Sequence, residues 1–253
     1  MDYNPQAPAK AGKLEGIAWE LFLPFAGEPA PAVLILHGAG SRKENHRDFA
    51  ATATSNGFVA LTFDNRGHGE TEGELGAGSL IDMQRLVSML ARRPEVDERR
   101  IAVRGSSMGG LLAIHAGAAI DGVAAVAAVC PAAERMLLED LRPLARGEPP
   151  RAGSALEAMR IDVGSMVAWL QEHDVREAAE QMGAKPLMLV HARGDEVVPY
   201  TISEELYERA AEPKRLLLLD AGHHRSAQHD PEIQGETLRW LAKAMRPPPS
   251  RAP

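Results

Sequence analysis

A chain of 253 residues, 45% hydrophobic and 25% charged, has the make-up of an ordinary globular protein and the length to bury one sizeable core, which excludes disorder as a whole. Lysine and arginine number 28 against 35 aspartate and glutamate, and the net charge of -7 carries no basic footprint for nucleic acid or an anionic membrane. A small neutral substrate fits that balance better, and the single cysteine, Cys130, excludes an intramolecular disulfide.

Residues 1–13 are polar and proline-containing, without the basic-then-apolar order of a secretory leader, and no apolar stretch has the length to span a bilayer. They read as the N-terminal tail of a soluble, cytoplasmic protein. Gly16 to Leu23 alternates apolar and polar residues, as an antiparallel edge strand does. The runs Ala32 to His37, Phe58 to Phe63, Ile101 to Arg104, Val123 to Val129, Pro186 to His191 and Arg215 to Leu219 are instead continuously apolar, the pattern of strands buried on both faces of a parallel sheet. Cys130 closes one of these runs and reads as a buried structural thiol.

Helical patterns fill the intervals. Ser79 with Asp82 predicts a capping box ahead of Leu80, Met83, Val87 and Leu90. Asp230 predicts the cap of a last helix, with Pro231 in its first turn and Ile233, Leu238 and Leu241 toward the core. Ala132 to Gln181 is too long for one crossover and is expected to be a helical insert, a small cap. Residues 247–253, with Pro247, Pro248 and Pro249, cannot continue a helix and are expected to be a tail. Strand and helix alternate from about residue 32 to 245, the order of a doubly wound, mostly parallel sheet, whose site lies at the carboxyl ends of its strands.

Three places on that edge carry chemistry. Gly105-Ser106-Ser107-Met108-Gly109 follows a strand and leads into a helix, the context that the nucleophile-elbow pattern G-x-S-x-G requires. The two glycines leave room for a sharp turn that holds Ser107 in a strained conformation, and the helix start offers the Met108 N–H to a developing oxyanion. A serine hydroxyl needs a base oriented by a third group. Asp195, in Gly194-Asp195-Glu196-Val197-Val198-Pro199, and His223, in Gly222-His223-His224, both follow strands and complete the order Ser, Asp, His. Glu196 is the lesser candidate for the acid. His223 is favoured over the alternative base His224 because it directly follows Gly222, while its neighbour would face solvent. The second oxyanion donor is expected to be the Ala39 N–H in His37-Gly38-Ala39-Gly40. The remaining histidines, His46, His68, His115, His173, His191 and His229, read as structural or exposed.

On these residues the chain resembles the α/β-hydrolase superfamily, and within it the cinnamoyl-esterase-like and serine-aminopeptidase-like (S33-type) hydrolases. The resemblance is carried by His37-Gly38-Ala39-Gly40-Ser41-Arg42-Lys43-Glu44, by Asp64-Asn65-Arg66-Gly67-His68-Gly69, by the elbow, and by the segments around Asp195 and Gly222-His223. It implies a single α/β-hydrolase domain over residues 14–246 with a cap insert at 132–181, and it makes His68 part of a structural loop. Ala192 stands where relatives often have glycine, and Ala39 where they often have a bulky apolar residue, which reshapes the acyl side of the pocket.

The expected activity is hydrolysis of carboxylic esters of short or medium acyl length by a Ser-His-Asp acyl-enzyme mechanism, with no metal or cofactor. Few aromatic residues are present to hold a large polyphenol. A peptidase or thioesterase would use the same triad, and a non-catalytic binding protein of this fold is the reading from another class. The expected partner is a small-molecule ester; a homo-oligomer is compatible with the sequence.

Overall fold

The continuous runs of Val, Leu, Ile and Ala become strands of one eight-stranded sheet in the structure, a computed structural model that describes residues 7–25 and 28–246. In chain order the elements are β1 (Lys10–Leu14), β2 (Ile17–Phe22), β3 (Ala30–Leu36), α1 (Arg47–Ser55), β4 (Val59–Phe63), α2 (Ser79–Ala91), β5 (Val96–Ser106), α3 (Met108–Ala119) and β6 (Ala125–Val129). There follow α4 (Glu134–Ala145), α5 (Val163–Glu172), α6 (Val175–Gln181), β7 (Leu187–Ala192), α7 (Thr201–Arg209), β8 (Lys214–Leu219), α8 (Ser226–His229) and α9 (Pro231–Ala244).

The spatial order is β1-β2-β4-β3-β5-β6-β7-β8, antiparallel through the first three and parallel from β4 onward. The order reverses at β3, which lies between β4 and β5. Loops leaving β3 and β5 therefore separate side by side and open a crevice at the carboxyl edge. Two apolar layers sandwich the sheet: Leu86, Leu112, Ile114 and Ala179 on one face, and Phe49, Phe58, Leu238 and Leu241 on the other. Among the described residues no helix is long and apolar enough to cross a membrane.

Four local expectations need correction. Residues 10–13, expected to be tail, belong to β1, which pairs antiparallel with β2. All of β1 but Leu14 is exposed, so no burial pattern announced it; backbone pairing holds it, and Gly12 lets the Trp19 indole lie against the chain. The capping box at Ser79 does not form: the Asp82 carboxylate instead accepts Arg66 Nη2 at 2.8 Å, and Ser79 Oγ donates to Gly76 O. A charge-assisted bidentate pair is the stronger claim on that carboxylate.

The last helix of the expected insert, α6, packs against α3 in the sandwich layer, with Ala179 fully buried, and so serves as the crossover to β7. The helices standing over the site are α4 and α5, joined by a chain that pairs with the β4–α2 loop, where Leu75 N donates to Arg160 O at 2.9 Å. The last run, β8, is only half-buried because it forms the sheet's outer edge. The Asp230 cap is present, with its side chain accepting from the Glu232 and Ile233 amides. The expected tail at 247–253 lies outside the described residues.

Candidate active site

Strand β5 delivers Ser107 to the crevice with φ 55° and ψ -123°, a left-handed conformation disfavoured for a residue with a β-carbon. The surroundings impose it. Ser107 N donates to Val129 O at 3.0 Å, while its carbonyl accepts from the Gly110 and Ala132 amides. A β-carbon on Gly105 would lie 1.9 Å from Gly109 O, and one on Gly109 would lie 2.5 Å from His37 O, so no other residue fits either position. Met108 opens α3; among the described residues its N–H, pointing out of the first turn, has no protein acceptor.

The facing loop leaves β3. Asn65 N donates to His37 Nε2 at 2.9 Å, so the proton sits on Nδ1, 2.8 Å from Gly38 O. Burial, and then the neighbouring His68, depress the His37 pKa to about 3, so the ring is neutral. Gly38 passes so close to the elbow that a β-carbon there would meet Ser107 Cβ at 3.1 Å. Gly40 N donates to His68 Nε2 at 3.1 Å, and Lys43 Nζ reaches Asp64 Oδ2 at 3.0 Å and Glu70 Oε2 at 2.7 Å, clamping this loop to the one after β4. The Ala39 N–H, between these anchors, has no protein acceptor among the described residues.

Across the crevice, the loops after β7 and β8 touch because both contain glycine: a β-carbon on Gly194 would lie 2.6 Å from Gly222 O. Asp195 Oδ1 accepts the Val197 and Val198 amides at 2.9 and 2.8 Å, and Oδ2 accepts His224 Nδ1 at 2.7 Å. The histidine on the acid is therefore His224, not the favoured His223. The reason is a single residue of register. Gly222 turns the chain at φ 109°, His223 uses its N–H and carbonyl to bind Ser226 at the start of α8 and faces solvent, and the next side chain points inward. His224 is 8% exposed, and its N–H donates to Glu196 Oε2 at 3.1 Å, which gives the lesser acid a part in holding the loop.

Two buried groups that residue patterns did not single out support this side. His191, at the end of β7, brings Nε2 to 3.3 Å from Asp195 Oδ2. Burial alone would raise the Asp195 pKa; hydrogen bonds from His191, His224, Val198 and Val197 outweigh it and hold the acid ionised, well below the usual carboxylate range. Arg104, in β5, donates Nη2 to Gln228 O at 3.1 Å, and Gln228 Nε2 donates to His224 O at 3.1 Å. The only sequence signal for either was a polar residue in a strand otherwise buried on both faces.

Cys130, His191 and Asp195 bring donor atoms within 4.8 Å of one another. Burial pushes the Cys130 thiol far up, which keeps it protonated, and both Asp195 oxygens already accept protein donors, so the trio reads as packing. Ser107 and His224 line one cleft with Ser41, Asn45, Arg225 and Gln228. No hydrogen bond closes between the Ser107 hydroxyl and His224 among the described residues; such bonds commonly tighten only in the reacting complex. Ala39 lines both this polar cleft and a small cavity under the cap, where Met108, Leu75, Leu137, Met159 and Met166 are joined by one charged residue, Asp140.

Residues 27–174 match the family model described as serine aminopeptidase, S33, and residues 166–252 match one described as TAP-like protein. The uncharacterized protein YfhR of Escherichia coli O157:H7 is 26% identical over 236 residues, which cover 89% of this chain and 76% of that one. Among solved structures, a soluble variant of monoglyceride lipase from Saccharomyces cerevisiae superposes with a TM-score of 0.78 at 15% identity, covering 97% of this chain and 99% of that one. Est1E from Butyrivibrio proteoclasticus, with ferulic acid bound, superposes at 0.74 with 22% identity, covering 94% and 99%. At these identities the structural likeness speaks for the fold, which is that of the α/β-hydrolases.

Proposed function

The chain belongs to the serine aminopeptidase S33 family of α/β-hydrolases, and on that premise we propose that it hydrolyses carboxylic esters of short or medium acyl length through an acyl-enzyme on Ser107. The observation that carries this reading is the strained Ser107 sharing a cleft with His224, whose Nδ1 lies 2.7 Å from Asp195 Oδ2. An ionised Asp195 is an acceptor only, so His224 carries its proton on Nδ1 and turns a basic Nε2 to the cleft.

His224 Nε2 takes the Ser107 proton as Oγ bonds to the substrate carbonyl carbon. The Ala39 and Met108 N–H groups hold the resulting oxyanion. Collapse breaks the ester C–O bond, and the alcohol leaves with the proton from His224. Water then repeats the steps against the acyl-enzyme, giving up its proton to His224, and Ser107 recovers a proton as the acid departs. The acyl group lies in the small cavity beside Ala39 and Met108, whose lining, aliphatic but for Asp140, suits an alkyl chain better than a polyphenol.

A series of p-nitrophenyl esters from acetyl to dodecanoyl, with a feruloyl ester beside them, tests this reading. Turnover is expected to peak at short or medium chains and to vanish in Ser107→Ala. Full activity of Ser107→Ala, or no fluorophosphonate labelling of the folded wild type at Ser107, overturns it.

A further inference from the structure

Asp195 receives a second imidazole that acyl transfer does not use. His191 is fully buried, and its Nε2 faces two acceptors, Val198 O at 2.9 Å and Asp195 Oδ2 at 3.3 Å. That nitrogen therefore carries the proton. Its Nδ1 is then a bare acceptor, 2.7 Å from the hydroxyl of Ser203, which is itself fully buried in the first turns of α7.

We infer that Ser203 and His191 are positioning residues behind the acid: the Ser203 hydroxyl donates to His191 Nδ1 and holds the ring in place, and the His191 Nε2–H, faced by Val198 O and Asp195 Oδ2, fixes how that oxygen meets His224. The chain Ser203, His191, Asp195, His224 crosses from α7 through the end of β7 to the loop before α8. One carboxylate oxygen answers two imidazoles, so the charge it offers to a protonated His224 depends on how strongly His191 donates. Burial makes the arrangement sensitive, since a lost donor is replaced by no water. Among the described residues, Cys130 just after β6 lies beside this pair, with Arg104 from β5 near that thiol, and Glu196 and His223 stand on the two loops. The substitutions below leave each of them in place.

The inference rests on the reading of Ser107, His224 and Asp195 as the triad, and one readout is chosen to be independent of turnover. In wild type and in Ser203→Ala alike, ring-nitrogen NMR shifts are expected to show His191 protonated on Nε2, while in Ser203→Ala the Nδ1 shift moves to that of an acceptor without a hydrogen bond. In kinetics, His191→Leu is expected to lower kcat about tenfold with KM unchanged, the worth of one hydrogen bond to a charged acceptor. It also moves the acid limb of kcat/KM to higher pH, because Oδ2 then serves His224 alone. His191→Gln, which keeps an N–H within reach of Oδ2, restores most of both, and Ser203→Ala moves both in the same direction by less. Equal impairment of His191→Leu and His191→Gln overturns the inference, as does a Ser203→Ala protein with the wild-type Nδ1 shift and pH profile, or a wild-type His191 protonated on Nδ1. Should His191→Leu fail to fold, Ser203→Ala and the NMR comparison decide. Failure of the triad reading itself shows separately, as activity surviving in Ser107→Ala.

Discussion

The two walls of the crevice are built by different means. On the β3 and β5 side, what faces the crevice is mainly backbone: the Ala39 and Met108 amides, brought close by Gly38, Gly105 and Gly109. On the β7 and β8 side it is side chain: Asp195 and His224, held by His191, Glu196 and the Arg104–Gln228 link. The first wall depends most on the absence of β-carbons at Gly105 and Gly109, the second on its buried hydrogen bonds. Each predicts its own pattern of damage.

The sharpest contrast lies between two adjacent histidines. His224→Ala is expected to lower kcat by about ten-thousandfold, as loss of a triad member does, while His223→Ala stays within about threefold of wild type. Steady-state kinetics on a p-nitrophenyl ester separates them, and equal losses would erase the distinction between an inward and an outward residue.

Next comes the backbone wall. Gly109→Ala drives a methyl into His37 O and Leu36 O, at 2.5 and 2.7 Å, and is expected to destabilise the fold by about 3 kcal/mol or more, or to prevent soluble expression. Gly57→Ala, with nothing within 4 Å of the added carbon, pays only for its φ of 80° and is expected to cost about 1–2 kcal/mol. Urea unfolding of both proteins measures the difference.

His68 lies where the two styles meet, a side chain that shapes a backbone loop through Gly40 N. His68→Leu is expected to slow turnover about tenfold through the orphaned amide, with thermal stability lowered modestly. Unchanged kcat would show that the clamp through Lys43 suffices to shape the loop.

The smallest effect concerns pH and stability. The folded pKa of His37, about 3, lies below its unfolded value near 6.5, so the unfolded chain binds the proton first. Its stabilising share is therefore full above about pH 6.5 and is lost as pH falls from there toward 3, at up to about 1.4 kcal/mol per unit. A His37→Gln variant should show a shallower loss of unfolding free energy between pH 7 and 5. An identical slope would place the acid sensitivity elsewhere, for instance in the buried His46, whose pKa is depressed by burial and by Arg104.

Much was legible from residues alone where the physics is local. The buried parallel strands follow from continuous apolar runs, the elbow from two glycines around Ser107 between a strand and a helix, and the Asp230 cap from a side chain that meets its own next turn. Proximity in sequence is proximity in space in each case. Tertiary structure decided the rest. Strand β1 gave no signal because backbone pairing, not burial, holds it, and Asp82 abandoned its expected cap because Arg66 comes to it from 16 residues away. The choice between His223 and His224 turned on the φ of Gly222, and the place of His191 beside Asp195 turned on how two loops pack. A run of residues states which groups a chain carries to an edge; which of two neighbours points inward there is set by contacts made after the chain has closed on itself.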